Sequence, residues 1–303
     1  MHEIWLLSGS FRTTRRIDPH HDRSVSAQCL GDDSRLAFRE LPKDLYSLPR
    51  MRDSGQMNTP VSPESLLHAA LNGGRDHPAT PRTPKAIADE AAAAVEAGAQ
   101  VIHLHPFDAS GRQTFDDVAV SATLREVRVV CPGIPISLST SAEIEPDPQK
   151  RLTLIAGWTE LPDLVSANQG EAGIREVCEM LIGRGVGIEA GLLSVDDATS
   201  FVGSGLTDRC ERVLVETTET DPDRALTDAA AIERVIAEAD IELPQVHHGE
   251  GIASWVVNAR AIRRGHGIRT GLEDTPVLID GSQAAGNGEL VAVAAGLLAE
   301  LGS

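Results

Sequence analysis

The chain has 303 residues, of which 41% are hydrophobic and 24% are charged, enough apolar residue to exclude wholesale disorder. Its 45 acidic side chains outnumber its 27 Lys and Arg side chains, which gives a net charge of −18. A charge of this sign and size repels a polyanion, so no nucleic acid partner is expected.

Residues 1–60 differ in character from the rest of the chain. They hold nearly equal numbers of basic and acidic residues and show neither helical nor strand periodicity. We interpret residues 1–60 as a poorly ordered N-terminal extension and residues 61–303 as one folded domain. The N-terminus lacks the basic and long apolar segments of a signal peptide, and no apolar run approaches the ~18 residues of a membrane span. A cytoplasmic protein without a membrane partner is therefore predicted.

From residue 66, apolar runs suited to buried parallel strands alternate with patterns of helical period. The predicted strands are 67–74, 100–106, 134–140, 163–168, 187–193, 212–217, 243–248 and 268–273. The predicted helices are 84–97, 116–130, 147–157, 172–184, 195–203, 223–238, 253–264 and 288–301. Eight strand–helix units in one run predict an α/β fold, a (β/α)8 TIM barrel. A doubly wound open sheet is the competing architecture, which the strand count alone does not exclude. No Gly-x-Gly-x-x-Gly follows the first strand, so dinucleotide binding has little support.

Polar residues gather where predicted strands end, which is where barrel enzymes place their active sites. His103 and His105 end the second strand at positions i and i+2, so both imidazoles are expected to face the barrel mouth. Their spacing suits a shared metal ion, although His-x-His also occurs where both rings only hydrogen-bond.

The eighth strand favours the metal interpretation. Arg269 and Glu273 share one parity, and this strand neighbours the first, so Glu273 is expected to reach His103 and His105. Two histidines and one carboxylate are a usual set for a catalytic zinc with an open coordination position. Asp274 is a candidate base that the Arg269 guanidinium would hold ionised. The competing interpretation is a structural ion pair at the strand end.

Several motifs, in a fixed order, carry a family resemblance. They are Asn72-Gly73-Gly74-Arg75, Thr83-Pro84, Glu96-Ala97-Gly98-Ala99, His103-Leu104-His105, Ser139-Thr140, residues 162–168 (PDLVSAN) and residues 269–274 (RTGLED). Over roughly residues 65–300 the sequence resembles the β-keto acid cleavage enzymes. The His-x-His strand and the Gly-Leu-Glu-Asp strand end are the most specific of these motifs.

The resemblance implies a zinc-dependent barrel with one divalent metal ion per chain, assembled as a homo-oligomer, a tetramer by analogy. Such enzymes condense a β-keto acid with acetyl-CoA and cleave the adduct into acetoacetate and a new acyl-CoA. It implies that the metal is held by three residues, which are His103, His105 and Glu273. It also implies that Asp274, polarised by Arg269 and Ser139, removes the proton between the two carbonyls.

The substrate-binding residues predicted on the same basis are Asn72, Arg75, Ser166 and Glu189. Arg75 stands where the members that cleave 3-keto-5-aminohexanoate have a glutamate for the substrate ammonium. A guanidinium there favours a β-keto acid with an anionic or polar tail. The alternative is that Arg75 folds back onto Asp76 or Glu273 and only shapes the pocket.

Two further departures mark a divergent branch of the family. Phe107 replaces an arginine that follows His-x-His, and residues 216–219 (ETTE) stand where a glycine-rich loop is frequent. Two alternatives to acyl transfer therefore stay open. One is a metal-dependent barrel hydrolase or aldolase that does not use acetyl-CoA, and the other is a non-catalytic binder of small anions.

Overall fold

The computed structural model of the protein describes residues 66–302. The extension predicted at residues 1–60 lies outside this part and stays a prediction. Eight parallel strands pair in chain order and close into a barrel, with β1 bonded to both β2 and β8. The predicted TIM barrel is therefore confirmed, and the open sheet is excluded. Within residues 66–302 no helix is both long enough and apolar enough to cross a bilayer.

The strands and helices alternate without interruption. The strands are β1 (Leu67–Ala70), β2 (Val101–Leu104), β3 (Ile136–Ser139), β4 (Leu164–Asn168), β5 (Gly187–Leu192), β6 (Arg212–Glu216), β7 (Gln245–His248) and β8 (Gly267–Thr270). The helices are α1 (Pro84–Glu96), α2 (Asp117–Val130), α3 (Pro148–Ala156), α4 (Ile174–Ile182), α5 (Val195–Val202), α6 (Pro222–Glu238), α7 (Ala253–Arg263) and α8 (Asn287–Leu301).

Capping residues fix where several helices begin. Thr83 Oγ1 accepts a hydrogen bond from the Ala86 N–H, and Pro84 occupies the first turn of α1. Asp147 and Asp221 cap α3 and α6 in the same way, each followed by a proline. These side chains satisfy N–H groups that have no partner inside the helix, and proline needs none.

The hydrophobic core lies between the strands and the surrounding helices, whereas the barrel interior is polar. Ile102, Leu104 and Leu138 point outward into the core cluster. The register pairs His103 with Ser137, and the strand alternation turns both side chains inward. Branched aliphatic residues usually fill such a barrel. Ionisable groups inside it therefore indicate a chemical role more than a packing role.

The eighth strand is shorter than predicted, and glycine is the reason. It ends at Thr270, and Gly271 follows with φ of 149°. A Cβ at Gly271 would lie 2.0 Å from the carbonyl oxygen of Ala70, so only glycine fits against β1. Glu273 follows Gly271 by two residues and lies in a turn, where its N–H donates to the same Ala70 oxygen at 3.2 Å. The turn, and not strand parity, carries Glu273 toward β2.

Candidate active site

The C-terminal end of the barrel brings the three predicted metal ligands together. His103 lies on β2, His105 is the first residue after that strand, and Glu273 lies in the turn after β8. The Nε2 atoms of the two histidines are 3.3 Å apart. Glu273 Oε2 lies 3.4 Å from the first of these atoms, and Oε1 lies 3.4 Å from the second. Both rings are buried, and one ligand atom from each residue lies within 4.8 Å of the others.

The second nitrogen of each ring has its own acceptor. Ser137 Oγ donates to Glu189 Oε2, so its oxygen is left to accept from Nδ1 of His103, 3.3 Å away. Nδ1 of His105 faces Oε1 of Gln113, an oxygen that can only accept, so we place the ring proton on Nδ1. With both protons on Nδ1, the two Nε2 atoms turn lone pairs toward each other.

This arrangement fits a divalent cation. Glu273 Oε2 is buried and has no hydrogen-bond partner in the described part of the chain, a costly state for a carboxylate oxygen. Burial lowers the pKa of His103 to about 3, so that ring is neutral and can give its lone pair. Burial also lowers the pKa of His105, but the charge and hydrogen bond of Glu273 outweigh it and raise the pKa. The two Nε2 lone pairs and the Glu273 carboxylate stabilise positive charge at the point between them, and this set of two imidazoles and one carboxylate is one that zinc accepts.

Asp274, the predicted base, lies beside these ligands. Arg269 donates to its carboxylate twice, from Nη2 to Oδ1 at 2.6 Å and from Nε to Oδ2 at 3.2 Å. His248 Nδ1 lies 3.4 Å from Oδ1. Burial raises the pKa of Asp274, but the charges of Arg269 and His248 outweigh it, so the pKa lies below its usual value. Arg269 also donates to Glu273 Oε1 at 3.2 Å, so one guanidinium orients the candidate base and a candidate ligand.

Asn72 is fully buried and binds backbone on two sides. Its Oδ1 accepts from the N–H groups of Gly73 and His105, and its Nδ2 donates to the carbonyls of Pro81 and His105. Asn72 therefore fixes the backbone at His105. Its predicted contact with substrate stays a prediction.

Arg75 lies at the mouth of the site with its guanidinium already bound. It forms an ion pair with Glu250 and donates to the carbonyl oxygens of Glu273 and Asp274 at 3.1–3.3 Å. The sequence left two roles open, reading the substrate tail and folding back. In this conformation Arg75 bonds the backbone of Glu273, and its contact with substrate stays a prediction.

The remaining predicted residues lie on neighbouring strands inside the barrel. Ser139 and Ser166 are partners in the register of β3 and β4. Ser139 Oγ accepts from the Ser141 N–H at 3.3 Å, and within residues 66–302 no hydrogen bond joins it to Asp274. Glu189 is 1% exposed, and burial raises its pKa despite the opposing Arg212 charge. Its hydrogen bond with Ser137 links it to the His103 ring.

Comparison with known proteins identifies the family. The chain matches the family of beta-keto acid cleavage enzymes over residues 65–235 and 246–303. It belongs to the beta-keto acid cleavage enzyme family. It is 27% identical over 268 residues to a 3-keto-5-aminohexanoate cleavage enzyme of Fusobacterium nucleatum, covering 78% of this chain and 92% of that protein. The predicted family and the prediction of an enzyme are both confirmed, and the family's metal dependence agrees with the three candidate ligands.

Solved structures share the fold of this beta-keto acid cleavage enzyme. A ternary complex of ObcA with a C4-CoA adduct and oxalate superimposes with a TM-score of 0.61 at 20% identity, covering 74% of this chain and 64% of ObcA. A binary complex of ObcA with oxaloacetate gives 0.60 at 18% identity, covering 75% and 65%. The chain thus spans less than two thirds of the ObcA chains, and at this identity the likeness shows the fold alone.

Three residues of the enzyme's site were missing from the predicted set. Ser137 precedes Ser139 by two positions, so strand parity places it on the same interior face and could have revealed it. His248 ends β7 on the interior face, which is the same kind of signal. Gln113 lies on the long loop after β2, and no periodicity relates it to His105.

A second group of ligand-type side chains lies on the outside of the barrel. It consists of Glu233 on α6, His247 on β7 and His266, with the two rings stacked 4.8 Å apart. Arg260 and Arg264 both bond the Glu233 carboxylate. Burial raises the pKa of Glu233, but His266 and the two arginines outweigh it and lower the pKa. A cation would have to enter between two guanidinium groups, so we assign this group to packing of α6 and α7 on the barrel.

Proposed function

We propose that this enzyme is a zinc-dependent β-keto acid cleavage enzyme that uses acetyl-CoA as the acyl donor. It condenses a β-keto acid with acetyl-CoA and, by a retro-Claisen step, yields acetoacetate and a new acyl-CoA. The observation that carries the proposal is the adjacency of Glu273 and Asp274. One turn holds a candidate metal ligand and an ionised base, and Arg269 bonds both carboxylates.

His103, His105 and Glu273 would hold the zinc ion, which supplies Lewis-acid stabilisation of negative charge on substrate oxygens. Ser137 and Gln113 bond the outer nitrogens of the two rings and fix their orientation.

Asp274 takes the proton from the carbon between the two carbonyls of the substrate. Its carboxylate is available as a base because Arg269 and His248 favour the ionised form. After transfer, the proton sits on a carboxyl group that His248 Nδ1 approaches at 3.4 Å. The carbon freed of its proton attacks the thioester carbonyl of acetyl-CoA, a carbon–carbon bond forms, and the C–S bond breaks to release CoA as a thiolate. The thiolate then attacks the keto carbon of the adduct, whose bond to the former nucleophilic carbon breaks to give the new acyl-CoA. That carbon leaves as the enolate of acetoacetate and takes back the proton from Asp274.

The other predicted residues complete the proposed site. Ser139 and Ser166 present hydroxyls to the substrate from adjacent strands, and Ser139 polarises Asp274 together with Arg269. Glu189 bonds Ser137, which in turn contacts the His103 ring. Asn72 and Arg75 contribute to substrate binding at the C-terminal end of the barrel. Assembly as a homo-oligomer, a tetramer by family resemblance, stays an expectation.

The decisive experiment is product analysis. The purified protein, loaded with one zinc ion per chain, is incubated with acetyl-CoA and a panel of β-keto acids, and the products are read by mass spectrometry. We expect acetoacetate and the matching acyl-CoA in equal amounts, and neither product from Asp274→Asn. Cleavage of the β-keto acid without consumption of acetyl-CoA would indicate a hydrolase or aldolase. Binding without turnover in any reaction would indicate a small-anion binder.

A further inference from the structure

A cavity of about 550 Å³ opens beside the candidate active site, between the loops that follow β1, β2 and β3. This volume lies within the range of small-molecule sites. Gly73, Gly74 and Gln113 form the side nearest the metal ligands. Gln113 bonds the His105 ring, and a Cβ at Gly73 would strike the Glu273 side chain at 2.6 Å. Gln113 and Gly73 therefore line the cavity on one side and contact the candidate metal ligands His105 and Glu273 on the other.

Three cations line this cavity, and two of them are bound to partners. Arg112 bonds the carboxylate of Asp108 and the hydroxyl of Ser110. Lys150 forms an ion pair with Glu145 at 2.5 Å. Each of these two cations therefore already has a carboxylate partner at 3.3 Å or less, although both side chains are largely exposed.

Arg82 is the third cation, and its donors are not used by a close partner. Its one ion pair within residues 66–302 is with Asp76 at 3.7 Å, and the Asp76 side chain is fully exposed. An exposed pair at that distance contributes little. The Arg82 guanidinium carbon lies 5.9 Å from the centre of the Phe107 ring, an attractive cation–π geometry that keeps the group over the cavity wall.

Arg75 and Arg82, which both follow β1, are therefore in different states. Arg75 is bound by Glu250 and by two carbonyl oxygens, whereas Arg82 lines an open cavity with hydrogen-bond donors to spare. A guanidinium offers a planar fork of N–H groups that matches a carboxylate. The Phe107 ring beneath it is only 7% exposed and packs in the core cluster, so it is a firm support for the guanidinium.

We infer that this cavity receives the tail of the β-keto acid, and that Arg82 selects a tail ending in a carboxylate. The inference rests on the proposed function and names its substrate class, an aliphatic β-keto diacid. Phe107 positions the guanidinium.

The test compares diacids with monoacids of the same length. The zinc-loaded enzyme is assayed with acetyl-CoA and either 3-oxohexanedioate or 3-oxohexanoate, and then with 3-oxooctanedioate or 3-oxooctanoate. Each pair isolates the effect of the terminal carboxylate, and the two pairs together show the effect of chain length. We expect a lower KM for the diacid in at least one pair. Arg82→Gln should raise that KM by about tenfold or more, because a bidentate pair to a charged group is lost, and change the monoacid KM less than about twofold. Arg82→Lys should fall between the two.

Each outcome bears on a definite part of the inference. Turnover of both monoacids by Arg82→Gln shows that the variant is folded and that the reaction itself survives. An equal rise in the diacid KM on Arg112→Gln would mean that only the general charge of the cavity matters, and would overturn the role of Arg82.

A rise in the KM of acetyl-CoA in place of the diacid KM would assign the cavity to CoA and overturn the inference. Acyl-CoA formed equally well from diacids and monoacids would also overturn it while leaving the proposed function intact. No acyl-CoA from any acid would contradict the proposed function, and the tail assignment with it.

Discussion

His103 and His105 turn their Nε2 atoms toward each other across 3.3 Å, inside a buried barrel mouth. Two lone pairs in that position repel, and a shared proton or a cation between them removes the repulsion. The carboxylate of Glu273 lies 3.4 Å from both atoms, and this adds the negative charge that a dication needs. The three residues therefore form one electrostatic unit.

The first prediction concerns the metal content. Purified protein should contain close to one zinc-like ion per chain, because each residue supplies one ligand atom to a common point. The double variant His103→Ala, His105→Ala should lose most of this metal, as measured by plasma mass spectrometry. As a control, the pair His247→Ala, His266→Ala should keep it, since Glu233 there is already bound by arginines. Stoichiometric metal in the first double variant would contradict the ligand assignment.

The second prediction concerns Ser137, which joins Glu189 to the outer nitrogen of His103. Ser137→Ala should weaken zinc affinity by roughly tenfold or more, since the ring loses the acceptor that fixes its proton on Nδ1. Competition with a chromophoric chelator gives this affinity without an activity assay. Ser121→Ala is a matched control, because Ser121 is also buried and hydrogen-bonded but lies on α2. Equal zinc affinity in wild type and Ser137→Ala would remove Ser137 from the site.

The sequence predicted the architecture well because each element carries a local signal. The apolar runs placed all eight strands, and the helix predicted over residues 195–203 is present as α5. Residues that depend on long-range geometry were harder to find. Gln113 lies eight positions beyond His105 on an irregular loop and is brought back by that loop alone. No period in the sequence encodes such a return.

The prediction that Glu273 lies near the two histidines is correct, but the local structure from which it was argued is wrong. Strand parity predicted that it would face inward as part of a strand over residues 268–273, but the strand ends at Thr270. The Gly271 backbone passes so close to Ala70 that the chain turns there, and the turn brings Glu273 to the histidines. Sequence alone shows a glycine at this point. It does not show the neighbouring carbonyl that makes glycine necessary.

The third prediction follows from that contact. Gly271→Ala should destabilise the protein by about 2–4 kcal/mol, because its Cβ would lie 2.0 Å from the Ala70 oxygen at a φ that side chains rarely adopt. Gly265→Ala has a positive φ but nothing within 4 Å of its Cβ, so its cost should be about 1 kcal/mol. Urea unfolding of both variants measures the difference. Equal stability of the two would show that the turn has room to relax.

The fourth prediction concerns the base. Asp274→Asn should keep zinc and lower kcat by roughly a thousandfold, within the usual range for removing a general base. Arg269 and His248 hold the pKa of Asp274 below its usual value, so activity should fall only at strongly acidic pH in the wild type. Arg269→Gln removes the main lowering influence, and the pKa of Asp274 should then rise. The acidic limb of the kcat/KM profile should move to higher pH in that variant. A limb that does not move would show that another group sets it.

The fifth prediction separates the two roles that the sequence left open for Arg75. Its guanidinium bonds the carbonyl oxygens of Glu273 and Asp274 and pairs with Glu250. Arg75→Gln should therefore loosen the turn that carries the base. We expect kcat to fall with diacids and monoacids alike, and zinc affinity to weaken with it. Glu250→Gln is the matched control, because it removes the ion pair and keeps the bonds to both carbonyls, so its effect should be smaller. A KM increase confined to diacids in Arg75→Gln would show instead that Arg75 leaves Glu250 to bind the substrate tail, as a guanidinium after the first strand predicts.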